Sequence, residues 1–260
     1  MLSNKKVGVA FGGGAALGFA HIGVLKALNE AHIKIEYLTG TSAGSIIAVL
    51  YAFGLSVPEI EQIALKLSWL DITKIIPSKY GLVSNKKLKK VIEKAIGNRQ
   101  LEDAKIPVGV VATDISSGEK VVLQSGSAAK AIMASTCIPG IFTPIEVNKR
   151  LLVDGAICEN VPVPTLKTLG ADYTIGVDLK PGFTNTKPKS IIDIVFNSFN
   201  FTINNNAQLL LNQADLVIQP DLSNFSLLNT KQVKDLIAVG YHHTQKILSK
   251  FNESPLNHKK

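Results

Sequence analysis

The side chain best suited to covalent chemistry in this 260-residue sequence is the hydroxyl of Ser42, at the centre of a G-x-S-x-G motif bounded by Gly40 and Gly44. The motif falls between a predicted strand (33–39) and a predicted helix (45–53). A nucleophile on such a turn has a strained backbone, and the flanking glycines give the turn the room it needs. The N-terminus of the helix favours negative charge that develops beside the serine. The pattern therefore predicts that Ser42 is a nucleophile.

A second glycine-rich turn, Gly12-Gly13-Gly14, follows the first predicted strand (6–11). Successive glycines allow several backbone N–H groups to converge on one point with no side chain between them. Such a turn can form either a phosphate cradle or an oxyanion hole, and the glycines alone do not distinguish the two uses.

A dinucleotide site is the alternative that the glycine turn raises. The spacing Gly12-x-Gly14-x-x-x-Gly18 is similar to a nicotinamide-cofactor loop, and Glu36 follows at a suitable distance for a ribose contact. Glu36, however, falls inside the predicted strand 33–39, whereas a ribose-binding acid is expected at the strand's end. None of the five tyrosines is followed by lysine four residues later, the pair that reductases with this glycine spacing use. An NAD(P)-dependent reductase is therefore the lesser alternative.

A serine hydroxyl needs a neighbouring base, and the histidines are poor candidates for one. The chain order Ser42, Asp154, His242 matches that of an α/β-hydrolase triad, but only two predicted strands precede the serine, and that fold normally has more. His242 and His243 fall in the middle of a predicted closing helix (231–250). His21 lies close to the glycine turn, where a helix-packing role with a local hydrogen bond is the simpler interpretation.

The remaining base candidate is Asp154, which follows an apolar predicted strand (150–153) and precedes Gly155 and Ala156. It is the only one of the aspartates that glycine follows. A carboxylate in this position is presented at a strand end, although an Asp-Gly pair by itself is more often an ordinary turn. Asp154 is a candidate base because it occurs together with the two glycine-bearing turns.

These motifs, taken in order, resemble the patatin-like phospholipase family, in particular its short single-domain bacterial members. The resemblance extends from about residue 6 to residue 220. It is carried by the segment 12–23 (GGGAALGFAHIG), by residues 40–44 (GTSAG) and 154–156 (DGA), and also by 134–140 (ASTCIPG) and 160–163 (NVPV).

The resemblance implies a Ser–Asp dyad without histidine, acting on lipid or fatty-acyl ester substrates with no cofactor and no metal. Ser42 would attack the acyl carbonyl, Asp154 would accept its proton, and the N–H groups of Gly13 and Gly14 would stabilise the oxyanion. An ordinary aspartate has a pKa of about 3.9 and is a feeble base at neutral pH. We therefore expect burial beside an apolar acyl site to raise the pKa of Asp154.

The glycine turn departs from the family pattern at two positions. Leu17 stands where the family normally has arginine, and Ala15 stands where it often has glycine. Loss of the arginine removes a cation near the turn, which raises a second hypothesis: a catalytically weak member that acts as an adaptor or regulatory protein.

Alternating short β-branched runs and longer helical periods predict an α/β fold, three-layered (α/β/α) around a mainly parallel sheet. We expect one domain over residues 1–251 and a frayed tail over 252–260. The irregular segment 71–83, with its isoleucines and Tyr80, is a candidate flap over the substrate. The helix that starts at Ile191 is a candidate second apolar wall, through Ile191, Ile192, Val195, Phe196 and Phe199. For both segments, ordinary core or dimer contact is an equally good interpretation.

The charge balance, 28 Lys+Arg against 20 Asp+Glu, is almost entirely lysine, because Arg99 and Arg150 are the only arginines. Lysine lacks the planar fork that reads bases, so no specific nucleic-acid binding is expected. Ordinary solvated lysines are the simpler explanation, and peripheral contact with an anionic membrane is the functional one. The apolar windows are too short for a signal or a spanning helix, which favours a cytoplasmic protein. The oligomeric state is left open.

Overall fold

The computed structural model describes residues 5–66, 74–78, 81–179, 187–188, 190–227 and 229–253. Its strands are β1 (Val7–Phe11), β2 (Ile35–Thr41), β3 (Lys74–Ser78), β4 (Gly81–Ser84), β5 (Val108–Asp114), β6 (Lys120–Leu123), β7 (Ile145–Val147), β8 (Arg150–Asp154), β9 (Tyr173–Val177) and β10 (Leu216–Ile218). Its α-helices are α1 (Ala20–Glu30), α2 (Ala43–Ala52), α3 (Val57–Lys66), α4 (Lys86–Ile96), α5 (Ala128–Ser135), α6 (Ala156–Glu159), α7 (Val163–Thr168), α8 (Ile191–Leu211) and α9 (Val233–Glu253).

The central sheet has eight strands in the order β10-β9-β1-β2-β5-β8-β7, with β6 paired to β5 as well. The strands from β10 to β5 run parallel, and β6, β7 and β8 pair antiparallel to their neighbours. The sheet is therefore mainly parallel with an antiparallel edge, as the sequence predicts.

Helices cover both faces of the sheet, and the alternation of side chains along β1 shows which helices cover which face. Val7, Val9 and Phe11 point into the main core with α1, α2 and α3. Ala10 points the other way, into a cluster that contains Leu166 of α7 and Leu211 of α8. The result is the expected three-layer α/β/α arrangement.

β2 and β8 meet on one edge of β5, and this arrangement determines which residues come together at the ends of the strands. At Val111, β5 pairs with β2 on one edge and with β6 on the other. At Ala112 it pairs with β8 and again with β6. Because β6 occupies one edge throughout, β2 and β8 share the opposite edge and approach each other end to end. The last residue of β8, Asp154, therefore lies next to the residue that follows β2.

Several boundaries differ from those predicted. β2 continues through Gly40 to Thr41, because close strand pairing tolerates a glycine. The apolar spacing predicts one helix over 15–31, whereas the structure has a 3₁₀ turn over Ala15–Phe19 before α1. The backbones of 74–78 and 81–84 form an antiparallel pair. Residues 71–73 and 79–80 and the side chains of 74–78 and 81–82 lie outside the described residues, while Val83 packs against the cluster that contains Phe142. Helix α9 reaches Glu253, two residues past the expected domain boundary, and 254–260 lie outside the described residues.

In the parts of the chain that the structure describes, no helix has both the length and the apolar character needed to cross a membrane.

Candidate active site

Ser42 is the single residue between β2 and α2, and its backbone is strained. Its φ is 51° and its ψ is −124°, in the region that favours glycine. The N–H of Ser42 donates to Oγ of Ser135 (2.8 Å), and its carbonyl accepts from the N–H (2.9 Å) and the hydroxyl (2.6 Å) of Ser45. The side chain of Ser42 is thus placed at the N-terminus of α2 by partners on both sides of its peptide.

The two glycines of the motif are needed because backbone segments approach closely. A Cβ added to Gly44 would lie 2.2 Å from the carbonyl oxygen of Phe11, and one added to Gly40 would lie 2.6 Å from the carbonyl oxygen of Gly44. Any larger residue would therefore push the start of α2 away from the ends of β1 and β2.

Asp154 is held at the end of β8 by its backbone and by its carboxylate. Its N–H donates to the carbonyl of Cys137 (2.8 Å), and Oδ1 accepts from the N–H of Ala156 (2.9 Å). A Cβ on Gly155 would lie 2.2 Å from the carbonyl oxygen of Val111, so this turn also needs a glycine. The carboxylate therefore sits at the start of α6, a short helix that the sequence pattern does not predict.

Burial raises the pKa of Asp154 from its ordinary value of 3.8 to about 7. Hydrogen bonds from the N–H of Ala156 and from the side chain of Ser42 oppose that rise, because they stabilise the charged form. The side chain of Ser42 is thus placed beside the carboxylate of Asp154, which gains or loses its proton close to neutral pH. Burial and the nearby Asp154 together raise the pKa of the Cys137 thiol, so this cysteine is an unreactive neighbour.

The glycine turn lies beside Ser42, and its N–H groups have different partners. The N–H of Gly12 donates to the carbonyl of Val177 (2.9 Å). The N–H of Gly13 donates to Asn160, at 3.1 Å from Oδ1 and 3.3 Å from the carbonyl oxygen. Among the described residues, nothing accepts a hydrogen bond from the N–H of Gly14. A Cβ on Gly13 would lie 3.2 Å from the Cβ of Ser42, which shows how closely the turn approaches the serine.

His21 supports the glycine turn and is electrically neutral. Its Nε2–H donates to the carbonyl of Gly12 (2.8 Å), its ring meets Phe11 edge to face, and burial lowers its pKa to about 4. This is the local packing role that the sequence favours. His242 and His243 lie on α9, which packs against α1, and neither lines the cavity beside Ser42.

The two departures in the glycine turn have different structural consequences. Leu17 is fully buried in a cluster with Leu179, Leu222 and Leu236, and it does not line the cavity beside Ser42. Ala15 does line that cavity and has a φ of 49°, a conformation that glycine adopts at lower cost. Leucine at position 17 therefore contributes to the core and not to the wall of the cavity.

An apolar cavity of about 940 Å³, counting its open mouth, extends from Ser42 between three helices. Gly18, whose Cβ would lie 2.6 Å from that of Ala43, allows the glycine turn to approach α2 at this point. The cavity walls come from α2, α3, the first turns of α4 and the loop after α5, and include Ala43, Ile46, Ile47, Leu50, Ile60, Ile63, Ala64, Leu88, Ile138 and Phe142.

The described side chains of the candidate second wall do not line the cavity. Ile191, Val195 and Phe199 are not among the lining residues; Ile191 is 74% exposed, and Phe199 packs against a cluster formed by Cys137, Ile138, Ile141 and Phe142. The side chains of Ile192 and Phe196 lie outside the described residues. The apolar wall of the cavity comes instead from α3 and α4. From the sequence alone, the apolar residues of these helices are explained equally well as core residues.

Two residues that contact the site were not singled out from the sequence: Asn160, which accepts from Gly13, and Ser135, which accepts from Ser42. Their partners lie 147 and 93 residues away along the chain. No local pattern marks such contacts, although both residues fall in segments that carry the family resemblance. Glu36 lies within β2 and pairs with Lys34, so it is not presented at a strand end for a ribose.

Within the described residues, no three His, Cys, Asp or Glu side chains are grouped so that they could hold a metal ion.

Comparison with solved structures finds the same fold at low sequence identity. VipD from Legionella pneumophila matches with a TM-score of 0.57 and 16% identity, over 95% of this chain and 67% of that chain. The Pseudomonas aeruginosa effector ExoU, solved with SpcU, matches with a TM-score of 0.54 and 15% identity, over 96% of this chain and 53% of that chain.

Comparison with curated sequences finds relatives at higher identity that are longer proteins. An uncharacterized NTE family protein of Mycobacterium tuberculosis (strain H37Rv) is 35% identical over 180 residues, which is 68% of this chain and 50% of that protein. The Lysophospholipase NTE1 of Coccidioides immitis (strain RS) is 37% identical over 187 residues, 68% of this chain and 12% of that protein. The chain thus spans half or less of the length of these relatives. The family model described as Patatin-like phospholipase matches residues 9–167, and the chain therefore belongs to the patatin-like phospholipase family.

Proposed function

We propose that this chain is a serine acyl hydrolase that cleaves fatty-acyl esters of lipids, phospholipids or lysophospholipids, through Ser42 and Asp154. The observation that carries the proposal is the contact between a strained, cavity-facing serine and a buried carboxylate whose pKa is raised to about 7. Family membership and the lysophospholipase named among the relatives support the same substrate class.

In the acylation step, Oγ of Ser42 attacks the ester carbonyl carbon while Asp154 accepts the hydroxyl proton. The carbonyl oxygen becomes an oxyanion, stabilised by the N–H of Gly14, which has no acceptor among the described residues, and by the N-terminus of α2. Gly13 can add a second donor only if its N–H exchanges its bonds to Asn160 for the oxyanion. The ester C–O bond then breaks, and the proton on Asp154 passes to the leaving alcohol.

In the deacylation step, the carboxylate of Asp154 is again free to act as a base. It accepts a proton from a water molecule whose oxygen attacks the acyl-enzyme carbonyl. Collapse of this second oxyanion breaks the bond to Ser42, returns the proton to its Oγ and releases the fatty acid. A pKa near neutrality suits both directions of proton transfer, because it lies close to the working pH.

The chemistry is tested by reaction with a fluorophosphonate and by hydrolysis of a medium-chain ester. We expect wild-type protein to form one covalent adduct, located by mass spectrometry on the peptide that contains Ser42, and to turn over the ester. Ser42→Ala should do neither. A wild-type protein that neither labels nor hydrolyses esters would contradict the hydrolase proposal and favour an adaptor role.

The apolar cavity predicts a preference for medium or long acyl chains. Leu50 is eight residues beyond Ser42 on α2, so the cavity extends about 12 Å along that helix. We expect Ala64→Phe, which fills the cavity from α3, to lower the rate with a dodecanoyl ester relative to a butanoyl ester by at least about tenfold, because each excluded methylene costs about 1–3 kcal/mol. Wild type and Ile115→Phe, an exposed position, are compared by kcat/KM on both esters. An unchanged ratio in Ala64→Phe would place the acyl chain elsewhere.

We further propose that the chain docks on anionic lipid surfaces through α8. Ile194, Phe201 and Leu209 are 53%, 50% and 71% exposed on one face of this helix, whereas Ile203 and Leu211 are buried on the other. Several large exposed apolar side chains on one side of a helix are typical of an interfacial helix. Five exposed lysines on α4, the helix that begins beside the cavity, add attraction to anionic headgroups: Lys86, Lys87, Lys89, Lys90 and Lys94.

We expect the double variant Ile194→Asn/Phe201→Asn to lose at least about tenfold in binding to vesicles that contain phosphatidylglycerol, because it removes the burial of two large apolar side chains. Hydrolysis of a water-soluble ester should be unchanged. Cosedimentation with anionic and with pure phosphatidylcholine vesicles measures the effect, and Ile115→Asn is the control at an isolated exposed position. Equal binding by variant and wild type, or a concentration-dependent dimer that the variant abolishes, would overturn the membrane assignment.

A further inference from the structure

The segment Ser135-Thr136-Cys137 makes hydrogen bonds to the backbones of both reacting residues. Ser135 accepts from the N–H of Ser42 (2.8 Å), and the carbonyl of Cys137 accepts from the N–H of Asp154 (2.8 Å). Two residues of chain span at most about 7 Å. The segment therefore fixes how far the two backbones can lie from each other, and we call it the 135–137 link.

Such a link is needed because no strand pairing joins the two residues directly. β2 and β8 meet end to end on the same edge of β5, with Thr41 opposite Val111 and Asp154 opposite Ala112. Strands that meet in this way share no ladder of their own. The distance between their ends along β5 therefore depends on contacts with other parts of the chain. The 135–137 link supplies one such contact to Ser42 and one to Asp154.

The hydroxyl of Ser135 is well suited to this position because it donates one hydrogen bond and accepts another. It donates to the carbonyl of Val111 (2.6 Å), so its oxygen is left to accept from the N–H of Ser42. Ser135 is fully buried at the end of α5 and does not line the cavity, whereas its neighbour Thr136 does. Its side chain therefore touches the backbone of the nucleophile and of β5, with no place in the substrate site.

The strained backbone of Ser42 makes the contact important. A non-glycine residue with positive φ costs about 1–3 kcal/mol and persists only where its surroundings hold it. On the amide side of Ser42, the contact that holds it is Ser135; on the carbonyl side it is Ser45. Without the Ser135 hydroxyl, the N–H of Ser42 loses its acceptor, and the turn can relax toward an ordinary conformation.

We propose that Ser135 is a positioning residue for hydrolysis: through the 135–137 link, it holds Ser42 in the strained conformation that keeps Oγ against the carboxylate of Asp154. This inference rests on the proposed function. Loss of the hydroxyl should separate the two side chains, while the cavity and the carboxylate remain.

The test compares Ser135→Ala and Ser135→Cys with Thr39→Val as matched control. Thr39 is another fully buried hydroxyl, three residues before Ser42, and it donates to the carbonyl of Pro162 (2.8 Å) away from the reacting groups. Each control and variant is assayed for thermal unfolding, fluorophosphonate labelling rate, kcat and KM on a soluble ester, and the pH profile of kcat/KM.

We expect Ser135→Ala to lower kcat and the labelling rate about a hundredfold, the loss expected for a displacement of about 1 Å, with KM little changed. Ser135→Cys, which keeps a weak donor and acceptor, should fall between wild type and Ser135→Ala. The apparent pKa of the activity should rise in Ser135→Ala, because the hydrogen bond from Ser42 lowers the pKa of Asp154 in wild type. Thr39→Val should lose stability but keep its rate and its pH profile.

A labelling rate in Ser135→Ala equal to that of wild type would overturn the positioning role while leaving the hydrolase proposal intact. Equal losses of rate in Ser135→Ala and Thr39→Val would also overturn it, since a general loss of stability would then account for both. If wild type itself neither labels nor hydrolyses ester, the proposed function fails before Ser135 is tested.

Discussion

Asp154→Asn is expected to lower kcat for ester hydrolysis by about 10³-fold or more, the scale of loss when a residue of a catalytic unit is removed. Asparagine keeps the shape of the side chain and can still accept from the N–H of Ala156, but it cannot take the proton of Ser42. Steady-state kinetics on a soluble ester measure the loss. KM should change little, because the carboxylate takes no part in binding the acyl chain.

Three control variants show whether the loss is specific to the carboxylate of Asp154. Asp114→Asn replaces another buried carboxylate, at the end of β5, which accepts from the N–H of Ser116 and lies close to Arg150 outside the site. It should keep its activity. His242→Ala and His243→Ala should also keep theirs, because both residues lie on α9. A large loss from either histidine change would indicate a serine–histidine enzyme and would contradict the role of Asp154 as the base.

Ionisation of Asp154 should lower the stability of the folded chain, whereas ionisation of a carboxylate in a folded protein usually raises it. The pKa of Asp154 is about 7 in the folded chain, and its ordinary value is 3.8. Between these values folding takes up a proton, so this group contributes stability that is complete below pH 3.8 and is lost as the pH rises through about 7. The difference between 3.8 and about 7 corresponds to about 4 kcal/mol of cost when the buried carboxylate is ionised.

Asp154→Asn should therefore be more stable than wild type above pH 7, by up to about 4 kcal/mol, and the advantage should shrink toward zero near pH 4. Urea unfolding of both proteins at pH 4.5, 6 and 8 measures the difference. Asp114→Asn serves again as the control and should show no such gain. An Asp154→Asn variant less stable than wild type at pH 8 would mean that the carboxylate is stabilised when charged.

The rate should follow the same ionisation. Because only the ionised carboxylate can accept the proton of Ser42, kcat/KM should fall about tenfold for each pH unit below the pKa of Asp154 and level off above it. The expected midpoint is about 7. An acid limb with a midpoint near 4 would indicate a solvated base and contradict the buried arrangement.

Local patterns in the sequence carry most of the secondary structure. β1, β5 and β9 are short apolar runs that are buried on both faces. The apolar pattern predicts strands over 6–11, 107–114 and 173–177, and the structure has each of them within one residue of these bounds. The spacing of Leu88, Val91, Ile92 and Ala95 predicts an amphipathic helix over 86–96 with its lysines outward, and α4 has these bounds. In each case the period of the apolar side chains depends only on neighbouring residues. The pattern therefore predicts the element without knowledge of what packs against it.

The glycines of the turns at Ser42 and Asp154 are also evident from the sequence, but the close contacts that require them are not. The close approaches of Gly44 to Phe11 and of Gly155 to Val111 join elements that are distant in the chain. The orientation of Leu17 depended on tertiary packing too. The family pattern suggested a missing cation near the site, whereas the side chain enters the core because leucines of three later segments surround it.

The sequence by itself determined the family and the α/β class and indicated the candidate reacting residues, since each rests on motifs or periods within a few residues. Only the tertiary structure decided how these residues meet. The antiparallel β8 ends against the parallel β2 on one edge of β5, and this register, together with the 135–137 link, brings Asp154 beside Ser42. Burial by the surrounding helices then raises the pKa of the carboxylate, because removing water penalises its charge. Strand register and desolvation both depend on contacts between distant parts of the chain, and for that reason no local pattern encodes them.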